Sequence, residues 1–529
     1  SDLKELKYAH RAVLAAARSG AYAEALALFF KLGLDKDKTN EDIACLRPRI
    51  LRDLAYAANP ESPDLTHLEE SAKGYSDAYR KTQGTYSGVN AAAAHALLGD
   101  LARAKKIAAE ISALLAKEDD EEQDSYFRRA TLSECRLLEG DSVGAASLFQ
   151  SALDAEDVTP GKRATSRRQL KRLARKLDID AAWIDRAAPQ PAVLFFSGPI
   201  ARKTDGDVES ATEEIVDALD ELLEREDIGW AHGALASGAD IAIAERLLQA
   251  DVSLSVHLPV APQEFLKSSV HVGGDHWRDR FYACMRGAAT IDWARRAPRP
   301  CNAVYRLGAE TAMGRAVRHA DQLETRAIGF FAAPVGATEA SSLSLSAADL
   351  WRRRNFKAVE ARCRWPGRDG PQRELRAVED ETLCFALVFA SAEKGARTPL
   401  ALVRASTAAD RTLESPDGRI VCALFQDASP AFAAAREALA TKDAAPLRLW
   451  LDAGVFTKDA LREGAKLVDP PLLSAACEPV TEPGVVFATD PYVCAAALAA
   501  DVASVRFEYV GYAPTEEKVD PCALYQLRL

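Results

Sequence analysis

Near residue 188 the apolar residues stop recurring at helical spacing and begin to gather in short runs, so one uniform fold cannot accommodate the whole chain. Residues 1–187 are rich in Ala, Leu, Arg and Glu and carry almost no strand pattern, which predicts an all-α segment. Within it AARSGAYAEALALFFKLG, AHALLGDLARAKKIAAEI and CRLLEGDSVGAASLFQSAL share one plan: a helix, a turn centred on Gly20, Gly99 or Gly140, and a second helix opening with small residues. Gly99 and Gly140 stand about forty residues apart, and Gly20 and Gly99 about twice that. The interval leaves room for a diverged unit at AYAANPESPDLTHLEESAKGY, and the period predicts stacked helical hairpins.

Beyond the linker RAAPQP the pattern becomes strand, helix, loop, helix, strand: PAVLFFSG, DVESATEEIVDALDELLERE, GALASGADIAIAERLLQADV and SLSVHLPV. Such alternation predicts a parallel, Rossmann-like α/β sheet over residues 190–340, with ligands bound at the carboxyl ends of its strands. Ser197 and Gly198 close the first strand, while Ser237 and Gly238 form a small-residue turn directly before a helix whose free N–H groups can cradle a phosphate. Asp240 has a helix-capping or ribose-binding role open to it, and Glu245 lies one turn further on. These six residues are the candidate ligand site, weighed against a plain tight turn with Asp240 as its cap. His257, and the GGDHW segment at 273–277, read more simply as a satisfied strand histidine and as a surface turn opening a helix.

From 345 to 529 the pattern is α+β. A helix over ADLWRRRNFKAVEARC leads into strands LCFALVFAS, GRIVCALF, LRLWLDAGV, GVVFAT and VRFEYVGYAP, with helices ASPAFAAAREALATK and DPYVCAAALAADV between them.

Each region also resembles a known family. TYSGVNAAAAHALLGDLARAKKIAAEISALL, RATLSECRLLEGD and SRRQLKRLARKLDI resemble the bacterial tetratricopeptide-like region called MAP3K TRAFs-binding, over roughly residues 10–185; this implies a scaffold that docks a protein partner. FFSG, ASGADIAIAERLLQADVSLSVHLP, EFLKSSV and GGDHWRDRF, in that order, resemble the SLOG domain of bacterial signalling proteins, and the SGAD segment is similar to the corresponding loop of the DNA-processing protein DprA. That resemblance implies a nucleotide-like ligand. Some relatives, the Lonely Guy enzymes among them, cleave a nucleotide's glycosidic bond, and here Asp240 or Glu245 is the acid–base candidate. The Gly-Gly-Thr loop usual near the end of such domains is replaced by FFAAPVGAT, in which only Gly336 and Thr338 remain. IVCALFQDASPAFAAAREALA, PLRLWLDAGVF and EPVTEPGVVFATDPYVCAAAL resemble class III adenylate/guanylate cyclase domains over 380–529. Ser391 and Arg419 stand where that family places metal-binding aspartates, with Asp417 two residues away, and Leu472 and Ala476 stand where it places Asn and Arg. A serine and an arginine cannot hold the divalent cations of cyclase chemistry, so this resemblance implies an inactive regulatory module and a homodimer contact.

Composition sets the remaining expectations. With 48% hydrophobic and 27% charged residues the chain is of ordinary globular type. Its net charge of −11 gives no global drive toward nucleic acid or anionic membranes. The basic stretch KRATSRRQLKRLARK at 162–176 is expected to be the solvated face of a capping helix rather than a nucleic-acid or lipid contact. Ten cysteines without a CxxC pair suit a reducing compartment, and no apolar run reaches membrane-spanning length, so a cytoplasmic chain with no cofactor and no metal is expected. The combined reading is a multidomain, non-enzymatic sensor or scaffold, with a nucleotide glycosidic-bond hydrolase and a purely structural interaction protein as the alternatives.

Overall fold

The computed structural model describes residues 2–57, 62–117, 125–294, 300–366, 380–391, 393, 397–398, 403, 409–440, 447–462, 483–499, 502, 505–512 and 523–528. Eleven helices occupy the first part of that set: α1 (Asp2–Arg18), α2 (Tyr22–Lys31), α3 (Glu41–Ala44), α4 (Leu46–Ala55), α5 (Leu65–Thr82), α6 (Thr85–Leu98), α7 (Leu101–Leu115), α8 (Tyr126–Glu139), α9 (Ser142–Ala152), α10 (Pro160–Lys176) and α11 (Ala182–Ala187). The hairpins follow from a local Gly-Asp code. Gly99 and Gly140 end their helices at φ +98° and +101°, a region that side chains resist, and the next residue caps the helix that follows. Asp100 accepts from the Arg103 amide at 3.1 Å, and Asp141 from the Gly144 amide at 2.8 Å. The diverged unit expected between Gly20 and Gly99 corresponds to α4 and α5, with Asp64 capping α5 through the Thr66 and His67 amides.

A six-stranded, all-parallel sheet follows, in the order β4-β3-β2-β1-β5-β6: β1 (Ala192–Ser197), β2 (Ile228–Gly233), β3 (Ser253–Leu258), β4 (Thr290–Trp293), β5 (Ala327–Pro334) and β6 (Lys357–Cys363). Helices α12 (Glu209–Arg225), α13 (Ala239–Gln249), α14 (Pro262–Phe265), α15 (His276–Gly287), α16 (Asn302–Gln322) and α17 (Leu343–Arg353) flank it. One expectation fails here. The segment ADLWRRRNFKAVEARC is a helix only to Arg353; Asn355 at φ +55° breaks it, and residues 357–363 form the sixth strand, beside β5. The alternation of KAVEARC on an edge strand was masked by the charged run before it.

The last unit is a seven-stranded mixed sheet in the order β12-β13-β11-β10-β7-β9-β8: β7 (Glu381–Ser391), β8 (Arg411–Glu414), β9 (Ile420–Phe425), β10 (Leu447–Thr457), β11 (Val486–Thr489), β12 (Arg506–Tyr512) and β13 (Ala523–Arg528), with helices Ala428–Ala440 and Asp490–Ala497. Sequence reasoning found five of these strands and both helices, and overlooked β8 and β13. The apolar core runs without interruption from the parallel sheet into this one. Helix α16 lies between the two, against β1 and β2 on one side and β7 and β10 on the other. Its Gly314 explains the close approach: a Cβ there would sit 2.1 Å from the Cys494 carbonyl oxygen, so only glycine lets α16 meet helix 490–497.

Candidate functional site

The strand order reverses between β1 and β5, and there the two glycine turns meet. Ile200 bridges to Gly238, the Ala201 amide donates to the Ser237 carbonyl at 2.7 Å, and the Ala239 amide donates to the Pro199 carbonyl at 3.2 Å. Of the six candidate residues, Ser197, Gly198, Ser237, Gly238 and Asp240 therefore share one locus. Glu245 does not: on α13 it faces α15, where Arg280 holds its carboxylate through Nε at 2.9 Å and Nη2 at 2.6 Å.

The locus is filled by the chain's own groups. Asp240 Oδ1 accepts from the Gly198 amide at 2.9 Å, and Oδ2 from the Ala236 amide at 3.3 Å. Burial pushes this carboxyl up to about 7 even though both amides favour its charged form. The Ser237 hydroxyl donates to the carbonyls of Ala201 and Ser269 at 2.9 and 3.0 Å, and its amide donates to Ser269 at 2.8 Å. Ser197 donates to the Ser344 hydroxyl at 3.0 Å, so the end of β1 is closed by the first turn of α17. Gly238, at φ +96°, has Trp365, the Pro199 carbonyl and the Ala201 amide packed where a Cβ would be. The amides of Gly198, Ala236, Ser237 and Ala239 are thus spoken for inside the protein, and an anion would have to displace Asp240 or the 199–201 segment to reach them.

The other singled-out residues also have places. GGDHW opens α15 as a turn, with Gly274 at φ +121°, and Gly273 packs against Ser237. Gly336 lies in the loop after β5, and Thr338 lines an open cleft of about 400 Å³ with Glu339, Arg352, Glu360 and Arg362, in which Glu360 pairs with both Arg352 and Arg362. In the last sheet the pairing of Ala390 with Ile420 sets Ser391 beside Arg419 across the ladder. Asp417 is engaged by the Ser415 hydroxyl at 2.5 Å and the Arg419 amide at 3.1 Å. Leu472 and Ala476 lie outside the described residues. Among the described residues no group of three or more His, Cys, Asp or Glu side chains could hold a metal ion, and no helix is long and apolar enough to cross a membrane.

Sequence reasoning missed a buried polar network on the opposite face of the parallel sheet, under α16. Arg315 Nη1 donates to His257 Nδ1 at 3.0 Å, His257 Nε2 meets His232 Nδ1 at 2.9 Å, and His232 Nε2 meets His319 Nδ1 at 3.0 Å. A guanidinium can only donate, so His257 Nδ1 must accept, and each neutral ring then carries its proton on Nε2 along the row. Burial, then the neighbouring rings and Arg315, lower His232 to about 2; burial and Arg315 lower His257 to about 3. Arg315 also pairs with Asp292 and, at 2.7 Å, with Asp490 of the third unit, which Arg318 approaches at 3.3 Å and the Tyr525 hydroxyl at 3.2 Å. No local motif announces this network, because its members come from six elements.

The basic stretch 162–176 departs from the solvated face expected of it. Arg168 Nε pairs with Glu324 at 2.7 Å, and its Nη2 caps the end of α16 through the Gln322 carbonyl at 3.0 Å. Arg167 is buried and reaches the Glu324 carbonyl at 3.1 Å, while Gln190 donates to the Leu323 carbonyl at 3.0 Å. These donors satisfy the orphan carbonyls of the helix end and suit its negative dipole. The first and last units touch as well: the Glu508 carboxylate, buried on β12, accepts the Ala23 amide at the start of α2 at 2.7 Å.

Comparison with known proteins supports the helical region. Residues 2–98 match the family described as Tetratricopeptide Repeats-Sensor. No curated protein matches the chain. Among solved structures, a point mutant of Thermobaculum terrenum O-GlcNAc transferase is similar at 12% identity over 69% of this chain, with a TM-score of 0.20, too low to carry an argument about fold. This chain spans 58% of that one. Residues 2–98 are accordingly tetratricopeptide-like, within a helical segment followed by a parallel α/β sheet and a mixed sheet.

Proposed function

We propose that this chain is a non-enzymatic signalling sensor and scaffold, in which the helical repeat receives the input and α16 carries it to the last unit, which docks a partner or a second copy. The observation that carries the reading is that α16 is gripped at its carboxyl end by Arg167 and Arg168 of the repeat, and in its middle by Asp490 of the last sheet. A shift of α10 cannot leave α16 unmoved, because close-packed interiors pass displacement on rather than absorb it. Hydrogen exchange on the full chain tests this. Arg168→Ala is expected to lower protection in α16 and in helix 490–497 together; a change confined to the α10–α16 junction refutes it.

In a second reading the two glycine turns themselves hold a nucleotide-like ligand, favoured by their convergence at the strand-order reversal and by a buried carboxyl at Asp240 that protonates near neutral pH. Binding would require Asp240 to release the Gly198 amide. ATP, AMP and NAD raise the melting temperature of the full chain if this holds, and a released base would identify the glycosidic-bond hydrolase alternative. No shift with any of the three leaves the scaffold reading alone.

A further inference from the structure

The inner face of the helical repeat carries a second polar cluster, far less well paired than the one under α16. Five helices contribute to it. From α4 come Arg49, Arg52, Asp53 and Tyr56, from α5 Tyr75, from α6 Asn90, from α8 Glu134 and from α10 Arg172. Arg52 is 9% exposed and donates to Asn90 Oδ1 at 2.7 Å; its Nε has no hydrogen-bond partner, the nearest carboxylate oxygen, on Asp53, being 3.5 Å away. The Tyr75 hydroxyl and Arg49 Nε are buried and without partners too. Arg172 lies 3.9 Å above the Tyr56 ring. Asp53, Glu134 and Arg172 are half-buried, so the cluster reaches the surface of the repeat through them.

The charge there does not balance. Three guanidiniums face Asp53 and Glu134, and burial pushes the Glu134 carboxyl up to about 7 although Arg52 acts the other way, so close to neutral pH it supplies only part of a charge. Burial pushes Arg172 down to about 10 although Asp53 acts against it, whereas at Arg52 Tyr75 and Asp53 together outweigh burial and raise the guanidinium, so the shortfall of counter-charge lies on the Arg172 side. At Arg315, by contrast, the guanidinium meets two carboxylates, those of Asp292 and Asp490. We propose that this cluster, reached past the half-buried Arg49 and Arg172, binds a small, multiply charged oxyanion, phosphate or carboxylate in kind, between Arg49, Arg52 and Arg172. Arginine forks engage such groups through two donors at once, and the unpartnered Tyr75 hydroxyl supplies a further donor. The proposal rests on the sensor reading for its consequence, since it names that sensor's input, but its binding does not depend on α16.

Titration calorimetry on the full chain near neutral pH, at fixed ionic strength, tests it with inorganic pyrophosphate and with citrate as probes. Saturable binding of at least one is expected, and which one binds distinguishes a phosphoryl from a carboxylate ligand. Arg172→Gln should weaken it by about tenfold or more, and Lys105→Gln, on the exposed face of α7, should leave it unchanged. Glu134→Gln should strengthen it severalfold by removing a competing negative charge, a direction that a purely structural role does not produce, and this variant decides the matter if Arg172→Gln fails to fold. Absence of saturable heat with both probes, or weaker binding in Glu134→Gln, overturns the proposal. Binding without the exchange response in α16 would instead refute the coupling and leave the site standing.

Discussion

Replacing His232 and His257 together by glutamine should make the protein's stability less sensitive to acid, by an amount that follows from the histidine row. In the folded chain both rings are held neutral, at about 2 and about 3, whereas an unfolded histidine titrates at its ordinary value of 6.5. A group whose folded value is depressed contributes stability above its unfolded value and loses it as pH falls, here from 6.5 down to about 3. Between about pH 7.5 and about pH 5 each unfolded histidine gains proton-binding free energy of roughly 2 kcal/mol that the folded one cannot match, or about 4 kcal/mol for the pair. The wild-type protein alone would hide this. Asp240 and Glu134, raised to about 7, act with the opposite sign: their stabilisation is present at low pH and is lost as pH rises through 7. Those carboxyls cancel in the difference between wild type and variant. Glutamine offers an acceptor and a donor and does not titrate, so the double variant, less stable at pH 7.5, should approach wild type by about 4 kcal/mol at pH 5. Urea unfolding followed by tryptophan fluorescence measures it, with Trp230 as a local reporter 5.5 Å from the His319 ring. A gap between the two proteins that is the same at both pH values refutes the neutral, Nε2-protonated row.

Two further outcomes probe the joints of the fold. Asp490→Asn removes the carboxylate shared by Arg315 and Arg318 and leaves their buried charge under-compensated, which should cost about 3–5 kcal/mol; calorimetry should then resolve separate transitions for the two sheets, and a single unchanged endotherm counts against the joint. Gly238→Ala forces a side chain into φ +96°, against Trp365 and the backbone of 199–201, and should cost about 2–4 kcal/mol by urea unfolding, whereas a cost below 1 kcal/mol would mean that the two turns are not packed as described.

Much of the architecture was legible because it is local. Gly-Asp at 99–100 and 140–141 states where one helix stops and the next starts, within a few residues and with the capping chemistry visible in the letters. The period change at 188, and apolar runs such as AVLFFS and LCFALVF, mark strands whatever surrounds them. The convergence of Ser197–Gly198 with Ser237–Gly238 followed from the strand-end rule and not from any contact visible in the sequence. What the letters could not hold is occupancy: whether amides beside two glycines face a hollow or their own Asp240 depends on where Pro199, Ser344 and Trp365 come to rest.

The same limit governs charge. A run such as KRATSRRQLKRLARK reads as a solvated face because local pattern says nothing of a helix end arriving from residue 322, and His232, His257, His319 and Asp490 are unremarkable until four elements bring them together. Sequence alone determined the order and kind of the elements, since helix capping, turn preference and hydrophobic period act over a handful of bonds. Only the tertiary structure decided which polar groups lost their water and which partners they found, because desolvation and Coulomb energy depend on distance through space and not along the chain.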